Sequence, residues 1–139
     1  MRVALLQMNG GFDPAANARI LADAVRDAGA QGARMLFTPE MSNLVDRDRG
    51  RAARSITTED LDVALRSTRE AAAEHGIWVH LGSVALRRED GRFANRGFVI
   101  DDKGAIRAAY DKMHLFDVDL PTGEKWRESA VYAAGERAV

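Results

Sequence analysis

Glu40, Lys112 and Glu128 are the three side chains whose type and position point to acid–base or covalent chemistry. Glu40 follows an apolar run and a proline in MLFTPEMS. A carboxylate where the chain leaves a buried strand lies where α/β enzymes place reactive groups, and it can act there as a general base. Lys112 holds a similar point at the end of AIRAAYDK. The chain has 17 arginines but only three lysines, Lys103, Lys112 and Lys125. An ammonium is a compact charge that can neutralise an oxyanion in a dry site. Glu128, in WRES, can orient such a lysine and favour its charged form. Taken singly, each of the three reads more simply as a surface charge.

Other combinations carry less. Asn9-Gly10-Gly11 after the first apolar run lacks both GxGxxG and GxxxxGK[ST], so it reads as punctuation before a helix. Asp117 and Asp119 offer two oxygen ligands without further ligand spacing. Arg47, Arg49, Arg51 and Arg54 read as a solvated loop, with a grip on a substrate carboxylate as the functional alternative. The serines include no GxSxG elbow. Trp78 and Trp126 read as packing. His75, His80 and His114 are too scattered for a metal site, and none is expected. The chain has no cysteine, which removes disulfides and thiol catalysis within these residues.

The elements that must position these residues follow from the apolar pattern. Arg2 to Met8 is a buried-strand run. Asp13-Pro14 opens an amphipathic helix through Ala16, Ile20, Ala24 and Ala28, ending near Gly29 or Gly32. Ala33 to Thr38 is the second strand, giving a parallel crossover unit. Residues 42–55 read as an irregular loop. Thr57 and Asp60 suggest a cap for a second helix that runs to His75 and closes at Gly76. Ile77 to Leu86, Phe93 to Ile100 and Ala105 to Tyr110 are strands, the first two joined at Asp90-Gly91, a hairpin signal. Met113 to Glu128 reads as a long loop, and Val131–Ala133 and Arg137–Val139 as strand beginnings. The expectation is an α/β fold with a mixed sheet and helices on one face.

Composition narrows the class. The 139 residues are 46% hydrophobic and 29% charged, ordinary for one globular domain. A formal net charge of −1 gives no electrostatic case for nucleic acid or an anionic membrane. No apolar run reaches membrane-spanning length, and the first strand begins too early for a signal peptide, so a cytoplasmic protein is expected.

Taken together, the segments resemble the nitrilase, or carbon–nitrogen hydrolase, superfamily over residues 2–139. RVALLQMN looks like its first strand, MLFTPEMS like its glutamate motif, NRGFVIDDKGAIRAAYDKMHLFDVD like its lysine motif and RESAVYAAGE like the segment bearing its second glutamate. The resemblance implies the N-terminal part of a four-layer αββα sandwich and a Glu–Lys–Cys catalytic set. By match, Glu40 would be the general base, Lys112 the stabiliser of the tetrahedral intermediate and Glu128 the supporting acid. No cofactor is implied, and the complete protein is expected to form homo-oligomers. The family's cysteine lies beyond the strand begun near Val139, so residues 1–139 are expected to be an incomplete domain, inactive alone. KMHLFDVDLPTGEKWRES looks most like the branch of omega-amidases and deaminated-glutathione amidases, which implies a small carboxylate-bearing amide as substrate, with His114 and Phe116 beside the pocket. A carbamoylase, an aliphatic amidase or a non-catalytic binding module built on half the fold are the alternatives.

Overall fold

The Asp13 side chain accepts hydrogen bonds from the Ala15 and Ala16 amides, and Pro14 sets the first helical φ, so α1 spans Pro14–Ala30. The computed structural model describes residues 1–139. β1 (Val3–Leu5) precedes this helix and β2 (Met35–Phe37) follows it. α2 (Arg49–Ser55) and α3 (Val63–His75) come next. β3 (Trp78–Arg87), β4 (Phe93–Ile100) and β5 (Ile106–Asp111) complete the main sheet. A small hairpin of β6 (Asp117–Asp119) and β7 (Lys125–Arg127) leads into a short 3₁₀ turn at Glu128–Ala130.

The five strands lie in the order β1-β2-β3-β4-β5. β1, β2 and β3 are parallel neighbours, whereas β3, β4 and β5 are antiparallel, so the sheet is mixed as the pattern implied. α1 and α3 pack against each other and against one face of the sheet, around Leu21, Val25, Leu65, Val79, Leu81 and Phe98. Full burial of each such aliphatic or aromatic side chain contributes about 1.5–3 kcal/mol. The other face, with Val3, Leu5 and Trp78, is much more open. One helical and one sheet layer of the expected sandwich are thus present.

Four local expectations need correction. Residues 49–55 form α2 rather than loop, because the Asp48 side chain caps the Arg51 amide. The second long helix starts after Asp62, whose carboxylate accepts from Leu65 N at 2.8 Å, and not at Thr57. Its end is as read: Gly76 adopts the left-handed conformation (φ 63°) that a side chain disfavours. The stretch 113–128 contains the β6–β7 hairpin. Neither 131–133 nor 137–139 forms a strand, since only the single Phe93–Tyr132 bridge pairs there.

β3 contains a bulge. Leu81 faces Phe98 and Val84 faces Arg96, so β3 advances three residues while β4 advances two. The inward positions are Val79 and Leu81 before the bulge, and Val84 and Leu86 after it, all within one core. Gly82 lies inside the bulge. A Cβ there would come within 2.3 Å of Thr38 O and 2.6 Å of Pro39 O. Only glycine lets the segment leaving β2 pass this close over β3.

Candidate active site

Glu40 is delivered by that close-passing segment. The Gly82 amide donates to Thr38 Oγ1 at 3.1 Å, and the Met41 amide donates to Ser83 Oγ at 2.9 Å. Met41 has φ 54°, an unusual conformation for a non-glycine residue. Asn43 locks the far end of the turn: its side chain exchanges bonds with both backbone groups of Ala85 and donates to Asp62. The turn is therefore tied to β3 on both sides of Glu40.

Lys112 follows β5 directly, and its amide donates to Asn95 O on β4 at 2.9 Å. The preceding Asp111 is fixed by Arg96, which donates to both of its oxygens at 2.5 and 2.9 Å and also to Glu59 at 2.8 Å. The hydrogen bond to Asp111 is the main reason the Arg96 guanidinium sits above its ordinary range, against the opposing effect of burial. Glu128 begins the 3₁₀ turn, and its Oε2 accepts from the Phe116 amide at 2.6 Å.

The three residues converge. Lys112 Nζ donates to Glu40 Oε1 at 2.8 Å and to Glu128 Oε2 at 2.9 Å. A fourth residue, Asn95, was not anticipated from the sequence: its Nδ2 donates to Glu40 Oε1 at 2.7 Å and to Glu128 Oε1 at 3.1 Å. Both partners are acceptor-only carboxylates, so the amide nitrogen must be the end that faces them. The usable signal was an asparagine in the middle of an apolar strand, FANRGFVI, where Asn is disfavoured without a partner. Glu40 Oε2 takes no hydrogen bond from the protein and remains free to accept a proton.

The electrostatics follow from this network. Burial works against the Lys112 charge, but the hydrogen bonds to Glu40 and Glu128 outweigh it and hold the ammonium above its ordinary value. Burial likewise opposes the Glu128 carboxylate, yet the Phe116 amide, Lys112 and Asn95 together keep it below the usual carboxylate range. Tyr132 responds in the other direction. Burial, reinforced by the negative charges of Glu128 and Glu40, pushes its phenol up to about 12.

These groups open onto a cavity of about 380 Å³. Its apolar wall includes Leu44, Ile56, Phe93 and Trp126. Of the two residues expected beside the pocket, Phe116 lines it, whereas His114 is exposed and does not. No three His, Cys, Asp or Glu side chains gather as a metal site would require. Asp117 instead takes the Ser129 hydroxyl, and Asp119 pairs with Arg127. No helix is long and apolar enough to cross a membrane.

The arrangement can hold a carbonyl carbon beside a base and place an ammonium at its oxygen. Comparison with known proteins points the same way. The carbon–nitrogen hydrolase family profile matches residues 2–139. A deaminated glutathione amidase from Yersinia enterocolitica is 29% identical over 138 residues, 96% of this chain and 47% of that protein. The Caenorhabditis elegans NitFhit structure superposes with a TM-score of 0.85 at 27% identity, covering 99% of this chain and 34% of that one. A mutant amidase from Nesterenkonia sp. AN1, described as carrying acrylamide on its active site cysteine, gives 0.78 at 25% identity, covering 99% of this chain and 50% of that one. The chain spans about half the length, or less, of the relatives it matches.

Proposed function

Because this chain belongs to the carbon–nitrogen hydrolase family, we propose that its site serves a thiol-dependent amidase that splits a small carboxylate-bearing amide into acid and ammonia. The observation that carries the reading is Lys112 Nζ, held at 2.8 and 2.9 Å between Glu40 and Glu128 at the edge of a largely apolar cavity. The nucleophile comes from outside residues 1–139, which contain no cysteine.

In the proposed reaction Glu40 takes the proton of the thiol, whose sulfur attacks the amide carbon. The carbonyl oxygen becomes an oxyanion and is stabilised by the Lys112 ammonium. Collapse of this intermediate breaks the C–N bond, and the protonated Glu40 returns its proton to the departing ammonia. Water, deprotonated by Glu40, then attacks the thioester and frees the acid and the thiol. Glu128 and Asn95 hold Lys112 and Glu40 in register throughout.

The test is ammonia release from short ω-amides by the product of the complete reading frame. Glu40→Gln and Lys112→Ala are each expected to lower turnover by at least about a thousandfold, in line with the loss of a unit that acts together. Both variants should still unfold cooperatively, so that the lost turnover is not loss of the fold. Near-parental turnover in either variant would overturn the assignment.

A further inference from the structure

We propose that Arg49 is the specificity residue of this site and binds the carboxylate at the far end of an amide substrate. The inference rests on the amidase reading and adds to it the group that recognises the remainder of the molecule.

The argument is one of charge pairing. Six charged side chains line the cavity: Glu40, Asp46 and Glu128 against Arg49, Lys112 and Arg127. Lys112 is shared between Glu40 and Glu128. Asp46 is satisfied by Arg51, which meets its two oxygens at 2.6 and 2.7 Å and lies outside the cavity lining. Arg51 is further held over the Phe12 ring, 4.6 Å from its centre. Arg127 is occupied by Asp119 at 2.7 Å and by the carbonyls of Val118 and Trp126. Arg49 alone among the six has no hydrogen-bond or ion-pair partner in the protein.

An anion entering this cavity meets two unlike surroundings. Around Lys112 two carboxylates already face one ammonium, which disfavours a third carboxylate there. Arg49 stands on α2, an element that contributes nothing to the Glu40–Asn95–Lys112–Glu128 network, and it brings a planar fork of donors suited to a carboxylate. The apolar lining of the same cavity, with Ile56 and Phe93, suits a short methylene chain. An amide that presents its carbonyl to Lys112 and its carboxylate to Arg49 matches both ends. A neutral amide of equal length matches only one.

Titration of the product of the complete reading frame, its nucleophilic cysteine replaced by alanine, with glutaramate and with pentanamide, followed by backbone and arginine side-chain NMR shifts, tests this without requiring turnover. Glutaramate is expected to bind at least about tenfold more tightly than pentanamide, the scale of one charge-assisted pair. It should shift the Arg49 side chain together with Glu40 and Lys112. Arg49→Gln should collapse that preference, and Arg49→Lys should restore part of it. Equal affinity for the two amides, or a preference that survives Arg49→Gln, overturns the role of Arg49 while leaving the amide site standing. Absence of shifts at Glu40 and Lys112 with either compound overturns both readings together.

Discussion

Asn95 Nδ2 and Lys112 Nζ donate to the same oxygen, Glu40 Oε1, at 2.7 and 2.8 Å, and each also reaches Glu128. A neutral amide and an ammonium thus share the task of holding two carboxylates together. The amide contributes donors without adding charge, so the pair of acids retains only one counter-ion.

Replacing Asn95 should therefore disturb the site through its neighbours. Asn95 is 2% exposed. Asn95→Leu leaves Glu40 and Glu128 each short of a donor and should destabilise the fold by about 1–3 kcal/mol. Asn95→Asp should cost more, because a third carboxylate joins two others. Urea denaturation midpoints of the two variants check the order, and an aspartate variant as stable as the parent would contradict it.

The network should also mark the pH profile of stability. Glu128 is held below its ordinary 4.5, so its stabilisation is present above that value and is lost as pH falls through the lower folded value. Lys112 is held above its ordinary 10.5, so its share is present below 10.5 and is lost as pH rises through the higher folded value. Lys112→Met should remove its own alkaline loss and weaken the acid one, since Glu128 loses a partner. Denaturation midpoints on both limbs measure this; an alkaline limb unchanged from the parent would rule it out.

Tyr132 offers a spectroscopic view of the same charges. Its phenol titrates near 12 because of burial first, then Glu128 and Glu40. In a Tyr110→Phe background the remaining phenolate absorbance near 295 nm belongs to Tyr132. Glu128→Gln should move that titration part of the way toward 10.0, with burial retaining the rest. An unmoved titration would mean that Glu128 does not act on the phenol.

Gly82→Ala should behave like a lesion at Glu40, although residue 82 carries no functional group. Its Cβ would press into the Thr38 and Pro39 carbonyls, which are backbone atoms with little room to yield. A loss of about 2 kcal/mol or more in denaturation stability is expected, together with loss of the Glu40–Lys112 contact. Crystallography of the variant would show whether the Glu40 turn lifts from β3.

Much of the framework was legible in the sequence because it rests on local rules. Asp13-Pro14 and Gly76 set helix ends through their own backbone preferences, and the β3–β4 pair follows from its apolar runs and the Asp90-Gly91 turn. Glu40, Lys112 and Glu128 were identified by the motifs around them. The remainder depended on contacts distant in sequence. Asp62 wins the helix cap over Thr57 because Asn43 holds its second oxygen. Asn95 matters only because β4 sets it opposite a turn 55 residues away. Arg49 stands out only once Arg51 has claimed Asp46.

The bulge in β3 makes chain length itself a constraint. Because β3 advances three residues here while β4 advances two, removing one residue at Gly82 or Ser83 would restore plain alternation and leave Val84 and Leu86 in the core, but it would take away the Gly82 amide or the Ser83 hydroxyl that ties the Glu40 turn to β3. The extra residue serves the contacts with the Glu40 turn and not the core. Natural or engineered descendants of this sequence are thus expected to tolerate insertions and deletions at the 88–92 turn and to exclude them at 82–83. The one residue by which β3 outruns β4 is what keeps Glu40 beside Lys112.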